Sequence, residues 1–286
     1  MKRINLVQGS EAWRAWRRTV ITATEASIIL GNNPWDTMYQ TWQRKLQMIG
    51  EKESNEHMQR GSRLEPEARA QFNERYSMLM ESTCVESTEY DFLGASLDGI
   101  TADDRYILEI KCGGPKLYSD AEKGIIPQYY KDQMQHQLLV TGALKCYYYC
   151  YDGSDGICIE VMPDPDFEKK FLPKARAFWK CVAFETPPEM QDKDYIDKSS
   201  DPFLSADIDE YKEICSQIKE LEEIKDSLRK KILDKCEDKS TVCNGAKVMK
   251  TSVKGKVDYD AIPELANVDI EKYRKEGTTC WKILVS

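Results

Sequence analysis

The stretch that decides the fold is Gly94-Ala-Ser-Leu-Asp98-Gly-Ile100, followed after Thr101-Ala-Asp-Asp104 by Ile107-Leu-Glu109-Ile-Lys111. Two runs of alternating apolar residues flank a cluster of turn formers, which is the pattern of a β-hairpin. Asp98 and Glu109 are equidistant from the boundary between Asp103 and Asp104, so a hairpin turning there sets the two carboxylates opposite each other. Cross-strand neighbours lie roughly 5 Å apart, and like charges at that spacing repel. Glu109 and Lys111 are two residues apart and share a face, while Leu108 and Ile110 point to the other side. Paired carboxylates beside an ammonium make chemical sense if a hard cation such as Mg²⁺ sits between the oxygens and keeps waters for a phosphate substrate. Lys111 can then hold or deprotonate the attacking water. Two blander readings stay open on these residues alone: Glu109 and Lys111 as a solvent-facing pair on an edge strand, and Asp98-Gly99 as an ordinary turn.

Outward from the hairpin, Ser10 can cap a turn through Trp13 and Trp16, and Thr22 or Thr24 can cap the run Glu25 to Leu30, which Gly31-Asn-Asn-Pro34 stops. Apolar spacing predicts a helix over 36–49 and another over about 55–76, with Pro66 beginning its second half or kinking it. After the β-like stretch 83–112 come a helix over 127–139, a strand pair over 145–151 and 157–162, and a helix over 167–184. The expected fold class is α/β: a restriction-endonuclease-like mixed β-sheet core flanked by helices, with a smaller carboxy-terminal α+β extension. The expected boundaries are a nuclease domain over 1–187, a polar, proline-bearing linker over 188–206, and an extension of unassigned role over 207–286. In that extension Tyr211, Ile214, Ile218, Leu221, Leu228 and Ile232 recur at steps of three and four, interrupted by Lys225, as in a solvent-laced helical seam. The stretches 241–254 and 279–285 read as short strands.

Composition narrows the function classes. A chain of 286 residues with 41% hydrophobic and 31% charged residues has room for one substantial core and a smaller module. No apolar run approaches a bilayer span, and the start has two basic residues but no apolar stretch of a secretory signal, so a cytoplasmic protein is expected. Ten cysteines scattered through such a chain read as reduced thiols; the group Cys146, Cys150 and Cys158 falls in strand-like sequence rather than in a zinc pattern. A net charge of −8 argues against coating nucleic acid nonspecifically, yet leaves room for an enzyme with local positive charge along a strand path. The densest basic and aromatic cluster is Trp13, Arg14, Trp16, Arg17 and Arg18. Two histidines are too few for a histidine-based nuclease, and no phosphate-binding glycine loop occurs.

Four motifs taken together resemble one family. They are Gln8-Gly-Ser-Glu-Ala-Trp13 with Arg17-Arg-Thr-Val-Ile-Thr-Ala-Thr24-Glu-Ala26; Arg60-Gly-Ser-Arg-Leu-Glu65-Pro-Glu-Ala-Arg69; the hairpin itself; and Tyr130-Lys-Asp-Gln133-Met-Gln135-His-Gln137. Over roughly the first two-thirds of the chain the sequence resembles the lambda-exonuclease-like nucleases, including the YqaJ-type viral recombinases, of the PD-(D/E)xK superfamily. Leu97 stands where the superfamily name puts proline. The resemblance implies that Asp98, Glu109, Glu65 and the carbonyl of Ile110 bind metal, with Lys111 beside the hydrolytic water and Gln133 orienting water or phosphate. It further implies that Arg17 and Thr24 receive the 5′-phosphate of the digested strand, with Arg14, Arg18 and Tyr130 as candidate DNA contacts. The implied activity is Mg²⁺-dependent digestion, with two ions and Mn²⁺ as a substitute, of one strand of linear duplex DNA from its 5′ end, leaving 3′ overhangs for phage-type recombination. The implied partners are double-stranded DNA ends, a single-strand annealing protein and two further copies in a ring-shaped homotrimer, and the implied setting is the cytoplasm, that of a bacterial host if the chain is phage or prophage encoded. A restriction-like endonuclease and an inactive DNA-end-binding protein are the competing expectations.

Overall fold

The computed structural model describes residues 1–51, 55–237 and 239–249, and its chain divides into two compact units, Met1–Ile196 and Asp197–Ser286. The first unit runs β1 (Lys2–Ile4), α1 (Glu11–Arg18), α2 (Ala23–Leu30), α3 (Met38–Lys45), α4 (Glu56–Tyr76), β2 (Glu81–Glu86), β3 (Gly94–Ile100), β4 (Tyr106–Lys111), α5 (Pro115–Glu122), α6 (Gln128–Thr141), β5 (Lys145–Tyr151), β6 (Gly156–Val161) and α7 (Phe167–Ala183). Its strands form a single six-stranded sheet in sequence order. Every neighbouring pair is antiparallel except β4 and β5, which run parallel from Tyr106 opposite Lys145 to Lys111 opposite Cys150. A parallel pair needs a crossover rather than a tight turn, and α5 and α6 supply it. The fold is therefore the expected mixed sheet flanked by helices.

That crossover positions the site. It makes β4 an interior strand, with β3 on one side and β5 on the other. On one face Leu108 and Ile110 pack with Tyr149, Tyr151 and the α4 residues Ala68 and Phe72. On the other, Ile107 and Tyr148 pack with Met134 and Leu138 of α6 and Phe171 of α7. A strand covered on both faces leaves no solvent side for Glu109, which excludes the edge-strand reading. Gly99 is required at its position, because an added Cβ would lie 2.8 Å from Met80 Cβ and 3.0 Å from Leu108 Cβ.

Local signals explain most helix starts. The Ser10 hydroxyl accepts from the Trp13 N–H at 3.2 Å, and the Thr22 N–H donates to Glu25 at 2.8 Å, so Thr22 rather than Thr24 caps α2. α3 is shorter than the apolar spacing suggested: Thr37 caps it by accepting from Gln40 N–H at 3.0 Å, and Gln47 adopts a φ of 57° just past its end. α4 continues through Pro66, whose ring lies on its exposed side. Two elements carry no strong local signal. β1 is three residues long and exists by pairing with β2, and α5 begins at Pro115, which presets the helical φ while giving up an N–H that a first turn leaves unpaired anyway.

In the second unit α8 (Pro202–Lys235) is one helix of 34 residues, capped by Asp201, whose carboxylate accepts from Phe203 and Leu204 N–H groups at 3.1 Å. The Asp201-Pro202 pair is a start signal, so the helix opens inside the stretch read as linker. β7 (Thr241–Cys243) and β8 (Ala246–Val248) form a hairpin whose Asn244 and Gly245 have φ of 47° and 78°, the left-handed values that a tight two-residue turn requires. The strand expected over 279–285 lies outside the described residues.

His136 shows how closely α6 sits on the sheet. It is fully buried, donates from Nε2 to the Gly94 carbonyl at 2.9 Å, and meets Phe171 edge-on. Burial pushes its pKa down to about 4, with the Gly94 bond a smaller opposing effect. The unfolded chain protonates this histidine below about 6.5, while the folded chain resists until about 4. Stability present above pH 6.5 is therefore lost as the pH falls through that window, by on the order of 3 kcal/mol at most. Chemical denaturation across pH 4–7 should show this slope in the wild type and a shallower one in His136→Gln; equal slopes would contradict the assignment.

Candidate active site

The interior position of β4 sends the Glu109 carboxylate against α6, where burial without partners would cost several kcal/mol. Its side chain is only 2% exposed and every oxygen is engaged. Oε1 accepts from Gln133 Nε2 at 2.6 Å and pairs with the Lys111 ammonium; Oε2 accepts from Gln137 Nε2 at 2.5 Å. Lys111 Nζ also donates to Gln133 Oε1 at 3.2 Å and lies 4.6 Å from the Tyr130 ring centre. Gln133 is thus held at both ends of its amide, one on the acid and one on the base. Tyr130, Gln133 and Gln137 are spaced by three and four residues, which stacks them on one face of α6 toward β4.

Asp98 enters from β3. The pairs Gly99 with Leu108 and Ile100 with Ile107 keep the register counted from the turn, in which Asp98 opposes Glu109 at the next step. Its Oδ2 accepts the Ile110 N–H at 2.8 Å, so Asp98 belongs to the hairpin rather than to a surface turn. Burial holds its carboxyl well above the usual carboxylate range, Glu109 and Glu65 push it the same way, and Lys111 and the Ile110 N–H oppose them. For Lys111 burial works against the charge, but Glu109, Tyr130 and Asp98 outweigh it and keep the ammonium above the ordinary lysine value. In this arrangement Lys111 is held as an ammonium that donates to Gln133 and pairs with Glu109.

Glu65 on α4 is close enough to raise the Asp98 pKa, yet its own carboxylate pairs with Arg69 one turn along. Among the described residues, no three His, Cys, Asp or Glu side chains stand ready-arranged around a metal ion. The donor chemistry nonetheless fits one: Asp98, Glu109, Glu65 and the Ile110 carbonyl all offer hard oxygens of the kind that hold Mg²⁺.

The amino-terminal residues also assemble. Arg17 Nη2 donates to Thr24 Oγ1 at 3.2 Å and to Thr22 Oγ1 at 3.4 Å, with its guanidinium 4.6 Å over the Trp13 ring. Trp13 Nε1 in turn donates to Ser96 Oγ at 2.8 Å, and Gln8 Nε2 to the Leu97 carbonyl at 3.2 Å, which ties this group to the strand carrying Asp98. Thr24 is exposed, so its hydroxyl is open to a ligand. Arg14 is exposed, and Arg18 lies 3.7 Å from Glu51.

Sequence reasoning gave no role to two residues. Gln137 holds half of Glu109, and its place one turn beyond Gln133 was a usable signal. Arg60 donates to the carbonyls of Cys112 at 3.1 Å, Gly113 at 2.8 Å and Asp152, clamping the end of β4 to the β5–β6 turn; nothing local in the sequence announces such a bond.

Because the negative charge on Asp98 is disfavoured where it stands, Asp98→Asn should stabilise the metal-free protein, with the amide oxygen still accepting from Ile110. Denaturant melts in EDTA check this; a destabilised variant would contradict the charge balance described here.

The chain is similar to known proteins over the segment that carries these residues. Residues 12–144 match the YqaJ-like viral recombinase domain. The uncharacterized protein YqaJ of Bacillus subtilis (strain 168) is 31% identical over 141 residues, which span 48% of this chain and 44% of that protein, so the match covers less than half the length of this relative. The crystal structure of the alkaline exonuclease LHK-Exo from Laribacter hongkongensis superposes with a TM-score of 0.53 at 25% identity, covering 62% of this chain and 94% of that one. The same protein in complex with dAMP gives a TM-score of 0.54 at 24% identity over the same shares. The hairpin, the α6 glutamines and the Arg17 group all fall within residues 12–144, the segment that matches the YqaJ-like viral recombinase domain, and the fold is similar to that of the alkaline exonuclease LHK-Exo.

Proposed function

We propose that the chain is a Mg²⁺-dependent DNA exonuclease, and the observation that carries the reading is the buried Glu109 carboxylate held between Lys111, Gln133 and Gln137 beside Asp98. Asp98, Glu109, Glu65 and the Ile110 carbonyl would hold the metal, two ions in the full reaction and Mn²⁺ as a substitute. A bound divalent ion supplies charge for the phosphoryl oxygens and an acidified water. The protein's own residues do the positioning. Lys111 sets a positive charge where negative charge builds on the scissile phosphate, and Gln133 fixes the Lys111 rotamer while offering a donor beside it. Tyr130 walls the ammonium from solvent on one side.

Arg17 and Thr24 favour an exonuclease over an internal cutter. The guanidinium reaches the first turn of α2, where a helix amino terminus favours anions, and the exposed Thr24 hydroxyl completes a phosphate cradle. A terminal 5′-phosphate held there gives 5′-to-3′ polarity and leaves 3′ overhangs for phage-type recombination. A single-strand annealing protein is the expected consumer of such overhangs, and a homotrimer around the duplex is the assembly in keeping with this reading. Among the described residues no helix is long and apolar enough to cross a membrane.

The test is digestion of linear duplexes bearing 5′-phosphate, 5′-hydroxyl or blocked ends, with Mg²⁺ or EDTA. Wild type should degrade 5′-phosphorylated ends fastest and only with metal, and Lys111→Ala should be slower by roughly a hundredfold or more. Arg17→Ala should lose the preference for phosphate while treating 5′-hydroxyl ends as the wild type does. Equal digestion by Lys111→Ala would sink the site, and cutting of closed circular DNA would favour an endonuclease.

A further inference from the structure

Helix α8 runs for 34 residues without a buried side chain. Its apolar residues are not scattered: Tyr211, Ile214, Ile218, Leu221, Leu228 and Ile232 occupy alternating three- and four-residue steps, with Lys225 and Lys235 completing the same seam. Ile218, Leu221 and Leu228 are 51%, 63% and 52% exposed. An isolated helix gains little from propensity alone, and a continuous apolar stripe in water is costly, so this pattern calls for a second helix lying along it.

The charges on the seam fix which way an identical helix would complement it. If an identical helix lay parallel, Lys225 would face Lys225 and Lys235 would face Lys235, two like-charge contacts in the core. If it lay antiparallel, residues whose numbers add to the same total would meet. Ile232 then meets Ile214, Leu228 meets Ile218, and each lysine leaves its own kind. Lys235 comes against the ring of Tyr211, a cation–π arrangement. Lys225 comes against Leu221, along which its stem can pack, with its ammonium beside the next residue, Glu222. Within one chain Lys225 already reaches Glu222 at 3.5 Å while both stay more than half exposed, so the pair has the reach to be exchanged between helices. Ile224, 56% exposed and flanking the seam, would lie near its own copy about the two-fold axis.

We propose that the α8 stripe is the docking surface for a second copy of this chain, the two helices lying antiparallel with Lys225 of each set against Leu221 and Glu222 of the other. The contact is isologous, so it closes on itself and joins chains in pairs. It does not rest on the nuclease reading, since only residues of α8 enter it.

Sedimentation equilibrium of the full-length chain tests it, with far-UV circular dichroism to follow folding. The wild type should have twice the subunit number of Leu221→Lys, which puts two lysines face to face in the antiparallel seam. Lys225→Glu should weaken pairing by roughly tenfold or more, because it gathers acids around Glu222. The exchange Glu222→Lys with Lys225→Glu should restore pairing to within a few-fold of wild type. Equal subunit numbers for wild type and Leu221→Lys would overturn the proposal, whether the stripe is then covered by residues 250–286 or by a different protein. Failure of the double exchange to recover what Lys225→Glu loses would overturn the antiparallel pairing.

Discussion

Glu109 is a carboxylate almost wholly removed from solvent, and the arrangement around it follows from that constraint. A buried carboxylate survives only if its oxygens are paired. Lys111 pairs with it from two residues along the same strand, and Gln133 and Gln137 reach it from one face of α6. The helix can present that face because the parallel β4–β5 pair forces the chain to cross over the sheet. The topology and the chemistry are thus one requirement: the crossover buries Glu109 and also brings the residues that make its burial tolerable. Lys111, held as an ammonium by Glu109, Tyr130 and Asp98 against the cost of burial, follows from the same arrangement.

Asp98 is the place where the balance is deliberately poor. It accepts one backbone N–H but faces two other carboxylates, and its own charge is disfavoured. A protein selected for stability alone would neutralise such a position, and perturbed carboxyls of this kind are commonest at functional sites. Glu65 and Arg69 show a milder form, with the carboxylate parked on its helical neighbour yet still sensed by Asp98.

Much of this was legible in the sequence, for reasons that separate short-range from long-range order. The hairpin register could be counted from its turn, and Ser10 and Thr22 announced their helices because a cap is a contact over three residues. Arg17 and Thr24 were named together only by the resemblance; the structure brings them within hydrogen-bond reach across the short turn between their helices. What could not be read depends on partners distant in sequence. β1 exists only through its pairing with Glu86, Val85 and Cys84, and Arg60 acts on carbonyls at Cys112, Gly113 and Asp152. The interior place of β4, which removes the edge-strand reading, depends on how the crossover is wound. The early end of α3 and the start of α8 at Pro202 were missed by weighing apolar spacing above the cap residues Thr37 and Asp201.

The claim on which the rest depends is that the Asp98 and Glu109 carboxylates are a cation site in waiting. Thermal melting of wild type and Asp98→Asn with increasing Mg²⁺, in the absence of DNA, tests it most directly, because an ion that binds only the folded state raises the midpoint, and above its Kd the rise grows with the logarithm of its concentration. The wild-type midpoint should rise with Mg²⁺ while that of Asp98→Asn stays where it was. A wild type indifferent to Mg²⁺, or an equal rise in both proteins, would contradict the account.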